Sequence, residues 1–300
     1  PNQTHQQSAA MIPVEGLDGY TGELKWVTEA GDAVVDEFRD LKRAGTSRGD
    51  LPCTVIAEGP ETLRLLLASS FPVQKVLLKP SVFAGLRPSL EERTCRAQEE
   101  VPVLVLLCEP KLMQQITGVP PNHASAALAC VRRTEIFSPS IDVVCHQLHD
   151  PDTPLRALLL DGVDEEGIGS LLRIGSAFGV NAVFLSERCG DAFHRRSVRV
   201  SMGHVFRVPL VRMDLQDVIC RLRTSGVATV ALAPDRRSGS RVSRPLEELT
   251  ELSNRWACVI GPDGPVHSKE VLDECDVPVL LETVPGCPLG IGVVAGILLH

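Results

Sequence analysis

The rhythm of apolar and polar positions changes near residue 51. Before it, glycines at 16, 19, 22, 31, 45 and 49 punctuate a polar stretch in which only residues 33–42 have helix-like spacing, so residues 1–50 read as an extension. After it, strand-length and helix-length apolar patterns alternate: strand-like 53–57, helix-like 60–69, strand-like 73–78, helix-like 90–96 and strand-like 103–108. That alternation predicts a small α/β domain over residues 51–135, closed by the apolar run 126–132. A proline- and aspartate-containing linker, residues 136–154, follows.

A second domain is predicted over residues 155–300. It opens on a buried-strand run at 156–160, a turn carrying Asp161, Gly162 and Gly167, and a helix over 169–178, which together form the βα unit of a parallel sheet. Further strands are expected at 182–185, 205–211, 227–231, 257–260 and 277–281, and helices at 215–224 and 245–252. A turn at 285–288 and a small-residue apolar helix at 289–299 complete the pattern.

Composition narrows this picture. Three hundred residues, 44% hydrophobic and 23% charged, suit a globular chain of two domains. No apolar stretch reaches the roughly 20 residues of a transmembrane helix. The ten cysteines are scattered, several inside apolar runs, and read as buried thiols in a reducing compartment. A net charge of −8 argues against a chain that coats nucleic acid with bulk positive charge. It leaves room for a local basic face, because residues 188–244 hold twelve arginines and four aspartates.

Several chemistries fit poorly. Gly167-Ile-Gly169 has the first spacing of a dinucleotide-binding loop, but Leu172 stands at the third glycine position, so a tight strand-to-helix turn explains it better than a nucleotide site. Cys145, His146 and His149 match no closed zinc pattern and the chain has no CxxC, so no metal is expected. There is no GxSxG elbow for a hydrolase nucleophile. Aromatics at 4% are too few for a base-stacking platform, which leaves RNA recognition to backbone and shape.

The order of motifs carries more information than any one of them. Leu159-Leu-Asp-Gly-Val-Asp164-Glu-Glu-Gly167-Ile-Gly169-Ser-Leu-Leu-Arg173 is followed by Arg199-Val-Ser201-Met-Gly203 leading to Pro209. Cys258-Val-Ile-Gly261-Pro-Asp263-Gly264 and then Pro288-Leu289-Gly290 complete the series. This succession resembles the SpoU-type RNA 2′-O-ribose methyltransferases, the trefoil-knotted α/β superfamily. Glu58-Gly-Pro-Glu-Thr-Leu, Val73-Gln-Lys-Val-Leu-Leu78 and Ile116-Thr-Gly118 are similar to the small RNA-binding α/β domain that precedes the knot in many members.

The resemblance implies a parallel-sheet C-terminal methyltransferase domain tied in a trefoil knot, one of the rare exceptions to unknotted chains. It implies S-adenosylmethionine held by backbone groups near Gly261, Leu280 and Leu289. Arg173 takes the position of the arginine that helps remove the ribose 2′-OH proton, and Arg195, Arg196, Arg199 and Arg207 are the expected RNA contacts. The implied partners are RNA, ribosomal RNA or a pre-ribosomal particle above all, and a second copy or a related subunit in a dimer.

The departures bear on activity. The first-motif asparagine is Gly167, the second-motif glutamate is Asp263, and the Ile-Pro-Met pocket wall aligns with Leu280-Leu281-Glu282. Ser-Leu-Asn has become Pro288-Leu289-Gly290. A misplacement of about 1 Å can cost on the order of 100-fold in rate, so these losses predict an RNA-binding protein of ribosome assembly with catalysis lost or reduced. The alternative is an active methyltransferase with an altered site. Reduced thiols and a ribosomal RNA role suit mitochondria, with the cytoplasm as the second compartment.

Overall fold

The computed structural model describes residues 14–41, 54–96, 102–120, 126–133, 150, 153–237, 240, 242–249, 254–266, 268–284 and 289–300. They divide into two compact units, Pro1–Arg133 and Thr134–His300.

The first unit is built on a five-stranded sheet. Its order is β1 (Leu24–Val27), β4 (Leu104–Cys108), β3 (Lys75–Leu78), β5 (Ala127–Arg132) and β2 (Thr54–Glu58). β5 runs antiparallel to both of its neighbours, and the other pairings are parallel. Helices α1 (Pro60–Ala68), α2 (Pro80–Arg96) and α3 (Pro110–Thr117) each begin on a proline just past a strand, where the missing N–H is no loss and the fixed φ suits a first turn.

The opening segment is not an extension where it is described. β1 pairs with β4, Leu24 against Val105 and Val27 against Cys108, and Val27, Val35, Phe38 and Leu41 are at most 2% exposed within this unit's core. The helix expected at 33–42 is a 3₁₀ turn, Ala33–Phe38, capped by Asp32, and a Lys75–Glu37 pair at 2.8 Å ties it to β3. A four-residue edge strand within polar sequence gives too short a pattern to read alone. α2 starts ten residues before its sequence pattern does, because Gly85 and Pro88 read as breakers yet stand inside the helix. The boundaries proposed at 135 and 136 and most of the linker lie outside the described residues.

The second unit is a seven-stranded sheet with all its ladders parallel. Its order is β10 (Arg244–Pro245), β12 (Val277–Leu280), β9 (Ala228–Leu232), β11 (Arg255–Ile260), β6 (Leu155–Leu160), β7 (Ala182–Leu185) and β8 (Leu210–Arg212). β6 and β11 are central and covered on both faces, which is why they read as nearly continuous apolar runs. On one face Leu155, Ala157, Leu159, Ala257 and Val259 pack against α6 (Leu215–Thr224) and α7 (Lys269–Glu274). The other face carries α4 (Glu165–Ala177) and α8 (Ile291–Leu299). There Gly175 of α4 sits over Leu158, and Val294 of α8 packs with Val230, Leu232 and Val279. Burying each such Leu or Val contributes about 1.5–3 kcal/mol.

Three elements differ from expectation. The strand predicted at 205–211 begins instead with a 3₁₀ turn, His204–Phe206, entered through Gly203 at φ 88°, and only Leu210–Arg212 is extended. Of the helix expected at 245–252, the described residues form a single 3₁₀ turn, Leu246–Glu248, after Pro245 closes β10. α4 starts earlier than residue 169, because Asp164 is its cap and two glutamates fill its first turn. The turn expected at 285–288 lies outside the described residues.

Candidate functional site

Helix α4 holds the candidate site together. The Asp164 carboxylate accepts the Gly167 N–H at 2.7 Å and fixes the start of the helix. One side of α4 meets α5 (Arg195–Val200) so closely that a Cβ on Gly169 would stand 2.7 Å from the Ser197 carbonyl oxygen and 3.1 Å from the Ser201 nitrogen. Its adjacent side meets α8, where a Cβ on Gly292 would reach Ser170 Oγ at 2.7 Å.

Arg173 follows Gly169 by one turn on the same face, so it emerges beside α5 and the His204–Phe206 turn. Arg173, Arg199 and Arg207 are exposed, and none has a hydrogen-bond or ion-pair partner among the described residues. This contrasts with other arginines of the 188–244 stretch. Arg188 donates to both oxygens of buried Asp161 at 2.6 and 2.7 Å. Arg196 pairs with Glu166, Arg223 with Asp276 and Arg236 with Glu282. Arg212 is spent on the carbonyls of Ser186, Cys189 and Gly190. Much of the basic excess counted along the sequence is thus cancelled by acids from elsewhere in the chain. Of the four arginines expected to contact RNA, Arg199 and Arg207 stand open and Arg196 is paired; Arg195 sits half-buried at the start of α5.

His204 joins this face and was invisible as a functional residue in sequence, where a lone histidine in an apolar run gives no signal. Its side chain is half-buried, its Nδ1 is buried without a hydrogen-bond partner, and burial together with the Arg207 and Arg173 charges holds its pKa below the usual histidine value. The imidazole is therefore neutral at neutral pH.

The remaining expected residues line the C-terminal edge of the sheet, where ligands of parallel α/β sheets bind. Gly261 ends β11 in a tight turn, its N–H donating to the Gly264 carbonyl at 2.8 Å and the Gly264 N–H returning to Gly261 at 3.1 Å. A Cβ on Gly261 would lie 2.0 Å from the Pro265 carbonyl oxygen, so only glycine fits. Leu280 closes β12, two strands from β11, and Leu289 precedes α8 at 37% exposure. Gly290 has open space beside it. These backbone positions suit a cofactor gripped by main-chain groups, and the Glu282 charge is offset by Arg236. Pro288 lies outside the described residues.

The chemistry-bearing side chains fit less well. A Cβ at Gly167 would meet Val163 Cγ1 at 2.6 Å and Asp164 Oδ1 at 3.0 Å, which closes the place where the resemblance expects an asparagine. Asp263 projects from the Gly261–Gly264 turn on a side chain one methylene shorter than glutamate. Among the described residues no group of His, Cys, Asp and Glu is arranged to hold a metal, and no helix is long and apolar enough to cross a membrane. Burial pushes the thiols of Cys108 and Cys130 up to about 12; the seven described cysteines are free, five of them buried as expected, whereas Cys95 and Cys220 lie exposed on helices.

Comparison with known proteins places this arrangement. Residues 155–299 match the model of the SpoU rRNA Methylase family. An uncharacterized tRNA/rRNA methyltransferase of Mycobacterium bovis is 30% identical over 271 residues, covering 88% of this chain and 84% of that protein. The 23S rRNA (guanosine(2553)-2′-O)-methyltransferase of Bacillus subtilis is 29% identical over 147 residues, 48% of this chain and 56% of that one. Among solved structures, an rRNA methyltransferase from Sinorhizobium meliloti superposes with a TM-score of 0.68 at 21% identity, over 93% of this chain and 96% of that one, and the same fold has been seen with AdoMet bound. With the parallel sheet, the capped α4 and the glycine turn after β11 all in the expected order, the chain belongs to the SpoU family of RNA methyltransferases.

Proposed function

We propose that this protein is an RNA-binding member of the SpoU family that acts on ribosomal RNA or a pre-ribosomal particle, with methyl transfer reduced or lost. The observation that carries the reading is the open arginine face: Arg173, Arg199 and Arg207 are exposed and unpartnered while neighbouring arginines are neutralised within the fold. Guanidinium groups left free on one face suit phosphate, and phosphate contacts supply most of the affinity in sequence-independent RNA binding. The closed space at Gly167 supports the loss of chemistry, since no side chain there orients a ribose hydroxyl.

The reading includes the trefoil knot, supported by α8 packing against α4 although β12, which precedes α8, lies three positions along the sheet from β6. It also includes a dimer with a second copy or a related subunit, supported by the apolar Val293 and Ile297, 54% and 44% exposed on α8. Filter binding to ribosomal RNA fragments, with a methyl-transfer assay on the same samples, tests the reading. Salt-dependent binding without methyl transfer supports it; absence of RNA binding overturns it.

A second reading, an active AdoMet-dependent RNA 2′-O-methyltransferase, is favoured by Arg173 keeping its place and by the glycine-lined strand ends. When bound, AdoMet supplies the methyl group. The backbone at Gly261, Leu280 and Leu289 would hold it, and Arg173 would stabilise charge on the ribose oxygen. Calorimetric binding of AdoMet, lost in Gly261→Val and accompanied by methylation that disappears in Arg173→Ala, supports this reading over the first.

A further inference from the structure

His204 occupies an unusual electrostatic position. The turn that carries it packs against α4 and α5. α4 contributes Arg173, the turn itself ends on Arg207, and α5 carries Arg195, Arg196 and Arg199, of which Arg196 is satisfied by Glu166 of α4. Among the described residues no carboxylate is one of the charges that act on the imidazole, and its buried Nδ1 has no hydrogen-bond partner. Burial is the larger reason for the ring to stay neutral, and the two guanidiniums add to it for as long as they lack an anion.

We propose that binding of an RNA phosphodiester between Arg173 and Arg207 is coupled to uptake of one proton by His204. The inference rests on the RNA-binding reading above and adds its regulation. In the free protein, burial and two guanidinium charges disfavour the imidazolium. A phosphate placed between those guanidiniums reverses the local potential, so the bound state favours the protonated ring and gains a third cation against the same anion. By linkage, a group whose pKa is higher in the complex makes binding tighter as pH falls, by at most about tenfold per pH unit for one proton.

The test is fluorescence anisotropy of a labelled oligouridylate with the full chain, at fixed ionic strength, between about pH 7.5 and pH 5.5. The expected result is an affinity for wild type that rises about three- to tenfold over that range, and a His204→Gln variant whose affinity does not follow pH. A second measurement does not depend on that variant folding: NMR titration of the wild-type His204 ring, whose pKa should rise on adding oligouridylate and also, without RNA, in Arg173→Ala. Equal pH slopes in wild type and His204→Gln, or a ring pKa indifferent to both RNA and Arg173→Ala, overturn the inference and leave RNA binding standing. Absence of binding by wild type at every pH overturns the RNA-binding reading and this inference with it.

Discussion

The two ends of helix α4 have fared differently. At its start the fold has closed over the position of a reacting side chain, since Val163 and Asp164 fill the volume beside Gly167. About one and a half turns later Arg173 stands exposed, and with Arg199 and Arg207 it keeps a charged face with no ion-pair partner among the described residues. Chemistry needs several groups held to fractions of an ångström, whereas binding to a polyanion needs only charges on one side. A sequence can drift out of the first requirement while meeting the second.

Substitutions at six positions break or sharpen that contrast. The largest effect is expected from Gly169→Val, because the new side chain would press on the Ser197 carbonyl and the Ser201 nitrogen, backbone atoms that cannot rotate away. A loss of about 3 kcal/mol or more, read as a lower midpoint in denaturant, would show that the α4–α5 contact mounts the arginine face. A variant as stable as wild type would refute the packing described.

Gly167→Asn should destabilise by about 1–3 kcal/mol without restoring methyl transfer. Combined with Val163→Ala it should cost less than the two changes added together, with a coupling of about 1 kcal/mol. Strict additivity in thermal melts would mean that Val163 is not what closes the site.

On the open side, Arg173→Ala and Arg207→Ala should weaken RNA binding and each lower the salt slope by about 1, while stability stays within about 0.5 kcal/mol. Anisotropy titrations at several salt concentrations, with melts in parallel, check both halves. The smallest change is expected from Arg196→Ala, whose exposed pair with Glu166 is worth about 0–1 kcal/mol and whose charge is already offset. Should Arg196→Ala weaken RNA binding more than Arg207→Ala, the division into paired and open arginines would not describe the RNA-facing surface.

Much of the second unit was legible in sequence, since its central parallel strands are buried on both faces and therefore written as unbroken apolar runs such as Leu155–Leu160. The motif order put Arg173 on the helix after β6 and Gly261 just past β11, and the fold has a helix and a turn at those positions. Less legible were features created by distant partners. β1 is a strand only because β4 offers it an edge, and its four residues carry no period of their own. The twelve arginines of residues 188–244 looked like one basic surface because the acids that neutralise Arg188, Arg196, Arg223 and Arg236 come from outside the stretch. His204 gained its character from burial and from two arginines, one of them on another helix, and no local spacing encodes that.

The pairing of β1 with β4 also has a consequence in time. Leu24 to Val27 leave the ribosome long before Leu104 to Cys108, the strand they must lie beside, and β5 follows later still before β3 and β2 are joined. β1 is therefore kept waiting, with Trp26 and Val27 exposed to any passing apolar surface until β4 emerges. Long-range pairings of this kind slow folding and lengthen exposure to aggregation, so the same ladder that completes the finished sheet is a point of exposure in the unfinished chain.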